Sequence, residues 1–139
     1  MKFIFLTQKF HDAYKNCTEI EKKTNRPYIQ IVIEVNGTLF AIPLRSNIKH
    51  NHAFFTDKAN RCGADYSKTV VITDPAYIGS KKPHIRENEF KELRKSEYEI
   101  KKGLKKYINN YKKASSNLNI DRNRMLCQYS TLQYFEEYL

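Results

Sequence analysis

The chain has no tryptophan, four glycines, four prolines and three cysteines. Each scarcity removes a class of protein. Cys17, Cys62 and Cys127 are odd in number, far apart and without zinc-ligand spacing, which excludes a disulfide framework and points to free thiols in a reducing compartment. The glycines at 37, 63, 79 and 103 form no phosphate-binding loop. Asp65, Asp74 and Asp121 are scattered, so paired-carboxylate and two-metal chemistry find no support, and neither a metal nor a cofactor is expected. The opening Met1-Lys2-Phe3-Ile4-Phe5-Leu6 is too short an apolar run for a signal peptide, and no stretch approaches a membrane span. The expected location is the cytoplasm, with no membrane partner.

Acidic residues are also in deficit. Fifteen Asp and Glu face 25 Lys and Arg, for a net charge of +10, and so basic a domain commonly meets nucleic acid. Ten Tyr and eight Phe argue against disorder and supply rings on which unpaired bases can stack. At 139 residues, positions 1–139 are expected to form one domain with its own core.

The hydrophobic pattern predicts a first strand over Lys2–Leu6, apolar on both faces and so central in its sheet. A short helix follows Thr7 and runs to about Asn16, and a polar loop ends at Pro27. Tyr28–Val35 is the clearest strand. Asn36-Gly37 then signals a two-residue hairpin turn, and Thr38–Leu44 is the return strand. Ala53-Phe54-Phe55 reads as a short buried segment, residues 57–68 as a polar loop, and Lys68–Ile72 as a further strand closed by Asp74-Pro75.

From about Asn88 the period becomes helical, with Phe90, Leu93, Ile100, Leu104, Ile108 and Tyr111 on one stripe. Gly103 weakens that helix by roughly 1 kcal/mol and admits a kink. Ser115, Ser116 and Asn117 end it, and a last helix over Ser130–Leu139 docks through Leu132, Phe135 and Leu139. Strands early and helices late predict an α+β domain with a strongly bent antiparallel sheet or partial barrel.

Two features carry chemistry. The first is the loop Pro43–His52, delivered by the return strand and holding Arg45, Ser46, Lys49, His50 and His52. Metal-free RNA cleavage needs a base for the 2′-hydroxyl, an acid for the leaving oxygen and cationic groups around the phosphoryl oxygens. Histidine titrates near neutrality, arginine offers a fork matched to phosphate and lysine a compact charge. Arg26 enters from the loop before the neighbouring strand. Lys49 or His50 would serve as base, and His52 or His50 as acid. The second feature is the helix charge: Lys91, Arg94, Lys95, Lys101, Lys102, Lys105, Lys106, Lys112 and Lys113 against Glu92, Glu97 and Glu99. Like charges on adjacent turns repel, so such a face gains from an anion and reads as RNA-binding.

The start Lys2–Thr7 with its short helix, and the hairpin Ile31–Leu44 running into Arg45-Ser46, resemble the toxins of type III toxin–antitoxin systems. This is the ToxN, CptN, TenpN and AbiQ group, and Ser46, Lys49 and His50 are most similar to the CptN and TenpN branch. The resemblance covers residues 1–56, while the basic second half agrees in character. It implies a compact, strongly twisted antiparallel sheet of the Kid and MazF type with flanking helices. It also implies a metal-independent endoribonuclease that leaves a 2′,3′-cyclic phosphate and a 5′-hydroxyl on cellular mRNA. The implied partner is a repeat-derived antitoxin RNA, processed by the toxin and held as a blocking pseudoknot in a closed assembly of two-and-two or three-and-three. Ser46 matches the serine of the motif, Lys49 a nearby lysine and Arg26 a basic residue before the second strand; the chain departs from the group at Arg45 and in its histidines. A non-catalytic RNA-binding module using the basic helix over 88–113 is the rival reading. A DNA-binding regulator fits less well, since the early helix offers few base-reading side chains.

Overall fold

The computed structural model describes residues 1–21 and 27–139. Six strands, β1 (Lys2–Ile4), β2 (Gln30–Val35), β3 (Thr38–Arg45), β4 (Ala53–Asp57), β5 (Cys62–Asp65) and β6 (Val70–Val71), form one antiparallel sheet among the described residues. Four helices accompany it: α1 (Gln8–Ala13), α2 (Glu87–Lys95), α3 (Glu97–Ser115) and α4 (Asp121–Tyr129). The class is α+β, as the order of periodicities predicts. The strand path β1-β2-β3-β5-β4 has two ends and does not close into a barrel.

β3 is the pivot. Asn36 and Gly37 both take positive φ (51° and 83°), which a tight hairpin turn requires, and this sets the β2–β3 register from Val35↔Thr38 to Gln30↔Pro43. On its other edge β3 divides its pairing. Phe40 and Ala41 face β6, whereas Leu44 and Arg45 face Ala64 and Gly63 of β5. The end of β3 is therefore held on both sides, and the side chain of Arg45 leaves it from a fixed backbone.

The polar stretch at 57–68, expected as loop, contains β5. Short side chains in Cys62-Gly63-Ala64-Asp65 hide the strand from a hydrophobic-period reading, and close packing is the reason they are short. A Cβ on Gly63 would lie 2.0 Å from the carbonyl oxygen of Phe54 and 2.8 Å from Cα of Phe55. Gly63→Ala is accordingly expected to cost on the order of 3 kcal/mol by forcing β4 away from β5. Urea unfolding would measure it, and an unchanged midpoint would rule out the close approach.

Three further expectations are corrected. β1 lies at the sheet edge, paired with β2 alone among the strands, and its apolar outer face is covered because Phe3 meets Phe90 of α2 at 5.5 Å between ring centroids. The single long helix is two, broken at Ser96 and not at Gly103. Gly103 instead clears space for Tyr66, whose hydroxyl donates to the Ile100 carbonyl at 3.0 Å. The last segment forms two short 3₁₀ turns (131–134 and 136–138), with Ser130 capping the first. Tyr107 donates to Ser130 at 2.8 Å and Tyr111 to Glu136 at 2.5 Å, so hydrogen bonds from α3 shape this tail, while Leu132 and Phe135 dock as predicted.

The core lies between the sheet and α3, whose Ile100, Leu104, Tyr107, Ile108 and Tyr111 are buried together with Phe10, Ile31, Ile42, Leu93 and Phe135. No helix of the described residues is long and apolar enough to cross a membrane.

Candidate functional site

Residues 46–52 join β3 to β4 and fold back over β5. Ile48 is buried at 2% exposure and anchors the loop, and its backbone N–H donates to the Arg61 carbonyl at 3.1 Å. Arg61 reciprocates. Its Nε donates to the Ile48 carbonyl and its Nη2 to the His50 carbonyl, each at 2.6 Å, and Nη2 also reaches Asn51 Oδ1 at 2.9 Å. The same guanidinium lies over the Phe55 ring at 4.7 Å. On the other side, the Tyr66 N–H donates to the His52 carbonyl at 3.0 Å. A loop so tied presents its side chains from a fixed frame.

The centre of the site is Asp65, at the end of β5 and fully buried. Its Oδ2 accepts from Arg45 Nη1 at 2.8 Å. Its Oδ1 accepts from the Ser67 backbone N–H at 2.9 Å and from the Ser67 hydroxyl at 2.7 Å, and lies 3.3 Å from His50 Nε2. Burial alone would raise the Asp65 carboxyl, but the hydrogen bonds from His50, Ser67 and Arg45 outweigh it and hold the group below the usual carboxylate range.

The tautomer of His50 follows from its neighbours. The His52 backbone N–H donates to His50 Nδ1 at 3.0 Å, so Nδ1 carries no proton. Nε2 therefore bears the hydrogen and donates towards Ser67 Oγ at 3.1 Å, whose own hydroxyl points to Asp65. This is not the arrangement of a serine hydrolase. There the serine and the carboxylate occupy opposite ring nitrogens, whereas here both sit at Nε2. His50 is oriented and engaged at both nitrogens.

His52 is the more accessible imidazole. Its ring is 5.5 Å from that of His50 and 5.6 Å from that of Tyr107. Desolvation, aided by the neighbouring His50, lowers its pKa below the ordinary 6.5 against a smaller opposing effect of Asp65, so the neutral form is favoured.

These groups open on a cleft of about 520 Å³. Its cations are Arg45, Lys49, Lys68 and Arg122, and no carboxylate lines it among the described residues. Lys68 donates to the Glu19 carbonyl at 3.3 Å and the Tyr129 carbonyl at 3.1 Å. Burial and the nearby Arg45 lower its pKa. α4 forms the opposite wall. Among the described residues, no group of three or more His, Cys, Asp or Glu is placed to hold a metal ion.

Of the residues expected from sequence, Arg45, Lys49, His50 and His52 converge on this cleft. Ser46 is exposed and does not line the cleft, and Arg26 lies outside the described residues. With about 3.6 residues per turn, Lys101, Lys105 and Lys112 lie beside the buried stripe of α3, and Lys102, Lys106 and Lys113 on the outward face next to them. These six share one broad arc opposite the stripe, while Lys91, Arg94 and Lys95 belong to α2. Lys105 and Lys112 border a groove against the β2–β3 hairpin, while Lys113 borders a second cleft of about 540 Å³ with His52 and Arg122. Lys91 pairs with Glu87 at 3.2 Å, and Arg94 covers the Phe90 ring at 5.3 Å, so part of the α2 charge is used locally. Lys95 is exposed at the end of α2.

Sequence reading missed Asp65, Ser67, Lys68, Arg61 and the whole of α4. The spacing Asp65-x-Ser67 carried a usable signal, because an Asp two residues before a Ser often caps a tight turn, as it does here. Nothing local announced Arg61, whose partners lie 11 and 13 residues away. No family model, curated protein or solved structure matches the chain. The site must be read from its own geometry.

Proposed function

We propose that the chain is a metal-independent endoribonuclease toxin of a type III toxin–antitoxin system, acting in the cytoplasm on cellular mRNA. One observation carries this reading: a neutral-favoured imidazole, His52, opens on a cleft whose charged lining is wholly cationic. The resemblance in residues 1–56 supplies the family. The open antiparallel sheet with its divided β3 supports the finer likeness to the Kid and MazF fold.

In the proposed reaction His52 takes the proton of the 2′-hydroxyl, and O2′ attacks phosphorus. The bond from phosphorus to O5′ breaks, and Lys49 protonates the departing oxygen. The products are a 2′,3′-cyclic phosphate and a 5′-hydroxyl. Arg45, held by Asp65 at 2.8 Å, and Lys68 face the phosphoryl oxygens, where developing charge is greatest. Ser46 does not line the cleft, and its place in the site rests on the resemblance alone. His50 orients the site in place of exchanging protons, because both its nitrogens are occupied. The inhibitor and second substrate is a repeat-derived antitoxin RNA pseudoknot, bound through the cleft and the flanking lysines of α3 in a closed assembly.

The occupied nitrogens of His50 also favour the rival reading, an RNA-binding module without chemistry. Incubation of the pure protein with structured RNA in EDTA separates the two. Cleavage to fragments with cyclic phosphate ends is the expected result, whereas tight binding with every strand intact would overturn the enzyme.

A further inference from the structure

α4 is an amphipathic helix turned the wrong way for a core element. Arg122, Met125, Leu126 and Tyr129 recur at the i, i+3, i+4, i+7 spacing of one face, and that face lines the cleft. Leu126 packs partly against the core, but Met125 and Tyr129 are 57% and 58% exposed, and no residue of α4 is fully buried. Large exposed apolar side chains cost solubility and are expected where a ligand covers them.

From this we infer that the Tyr129 ring, flanked by Met125, is a stacking platform for an unpaired nucleobase beside the reacting phosphate. This deepens the RNA reading above and rests on it. The cleft sets one apolar wall against cations on the facing loop and strand, Lys49 and Arg45, which is the alternation of base and phosphate along a single strand. Position is controlled as well as chemistry. Lys68 Nζ donates to the Tyr129 carbonyl at 3.1 Å and itself lines the cleft, so the end of α4 is tied to the phosphate side of the site. Arg122 borders both this cleft and the one containing Asn110 and Asn123, and it marks the way a strand leaves the platform. The complementary occupant is an anionic strand with exposed rings. A second copy of this chain, itself at +10, is the poorer match to a cationic cleft.

The test uses a 2′-O-methyl RNA oligonucleotide of mixed sequence carrying several 2-aminopurines, which cannot be cleaved because its 2′-oxygens bear no proton. Wild-type protein is expected to bind it and quench its fluorescence, since stacking on the ring quenches the probe. Tyr129→Phe should keep both effects. Tyr129→Ala should lose the quenching and weaken binding roughly ten- to hundredfold, with circular dichroism unchanged because the side chain is exposed. Undiminished quenching by Tyr129→Ala would overturn the platform while leaving RNA binding in place. Absence of binding by wild type would overturn the RNA reading together with the platform. Loss of self-association in Tyr129→Ala, with RNA binding untouched, would assign the face to a second copy and overturn the inference.

Discussion

Asp65→Ala is expected to be the most damaging single substitution in the chain. Asp65 is fully buried, and it satisfies Arg45 at 2.8 Å, the Ser67 hydroxyl at 2.7 Å and the Ser67 N–H at 2.9 Å. Removing one partner of a buried pair leaves the other charge without compensation, at about 3–5 kcal/mol. Much of the marginal stability of a domain this size would go. Chemical denaturation of Asp65→Ala and Asp65→Asn measures it. If both unfold at the wild-type midpoint, Asp65 is not the centre of the site. The acid limb gives an independent check. The folded-state pKa of Asp65 lies below its ordinary 3.8, so its contribution is present in full above that value and is lost as pH falls through the depressed one. Asp65→Asn has no such proton to take up, and its stability should fall less steeply below about pH 4.

His52→Ala is expected to abolish RNA cleavage while leaving RNA binding nearly intact. A positioned general base contributes roughly a hundred- to ten-thousandfold in rate, and the cleft cations that hold the strand are untouched. Lys49→Ala should also suppress cleavage, but it removes a phosphate contact and should weaken binding in a salt-dependent way. The pH profile discriminates further. Because burial lowers the His52 pKa, the neutral base persists below the ordinary value of 6.5, and the acid limb of the rate should lie below that pH. The same shift makes stability decline as pH falls below 6.5, since the unfolded chain takes up that proton first. Cleavage by His52→Ala at the wild-type rate would sink the assignment of the base.

The importance of Asp65 bears on how such sites are read from sequence. Asp65, Asp74 and Asp121 are equally scattered along the chain, but their environments diverge: Asp65 is enclosed, Asp74 meets Lys9 at 3.2 Å near the surface, and Asp121 pairs with Arg124. Local sequence marks Asp65 as a turn cap but does not rank the three by burial, since Asp74 caps a short turn in the same way. What separates them is the β4–β5 hairpin, which Gly63 permits by close approach and which brings the end of β5 under Arg45.

Local chemistry was sufficient for a good part of this protein. Asn36-Gly37 determines its hairpin by itself, because both residues accept positive φ, and the run of β-branched residues before it makes β2. The loop delivering Arg45, Lys49, His50 and His52 follows from that hairpin, as does the general α+β order. The stripe on α3 is equally legible, since burial of one face is a property of period alone.

The polar cluster that first marks out residues 43–52 therefore survives, but its internal roles do not follow from composition. Which histidine is engaged and which is accessible depends on an N–H two residues away and on a hydroxyl from another strand's end. The break at Ser96, the outward face of α4 and which lysines of α3 border which groove depend on what packs against each helix. Sequence specifies the elements whose stability is local. The tertiary structure alone decides which charges are paired, which are left to meet a phosphate, and which rings stay uncovered, because each of those outcomes is set by groups distant in the chain.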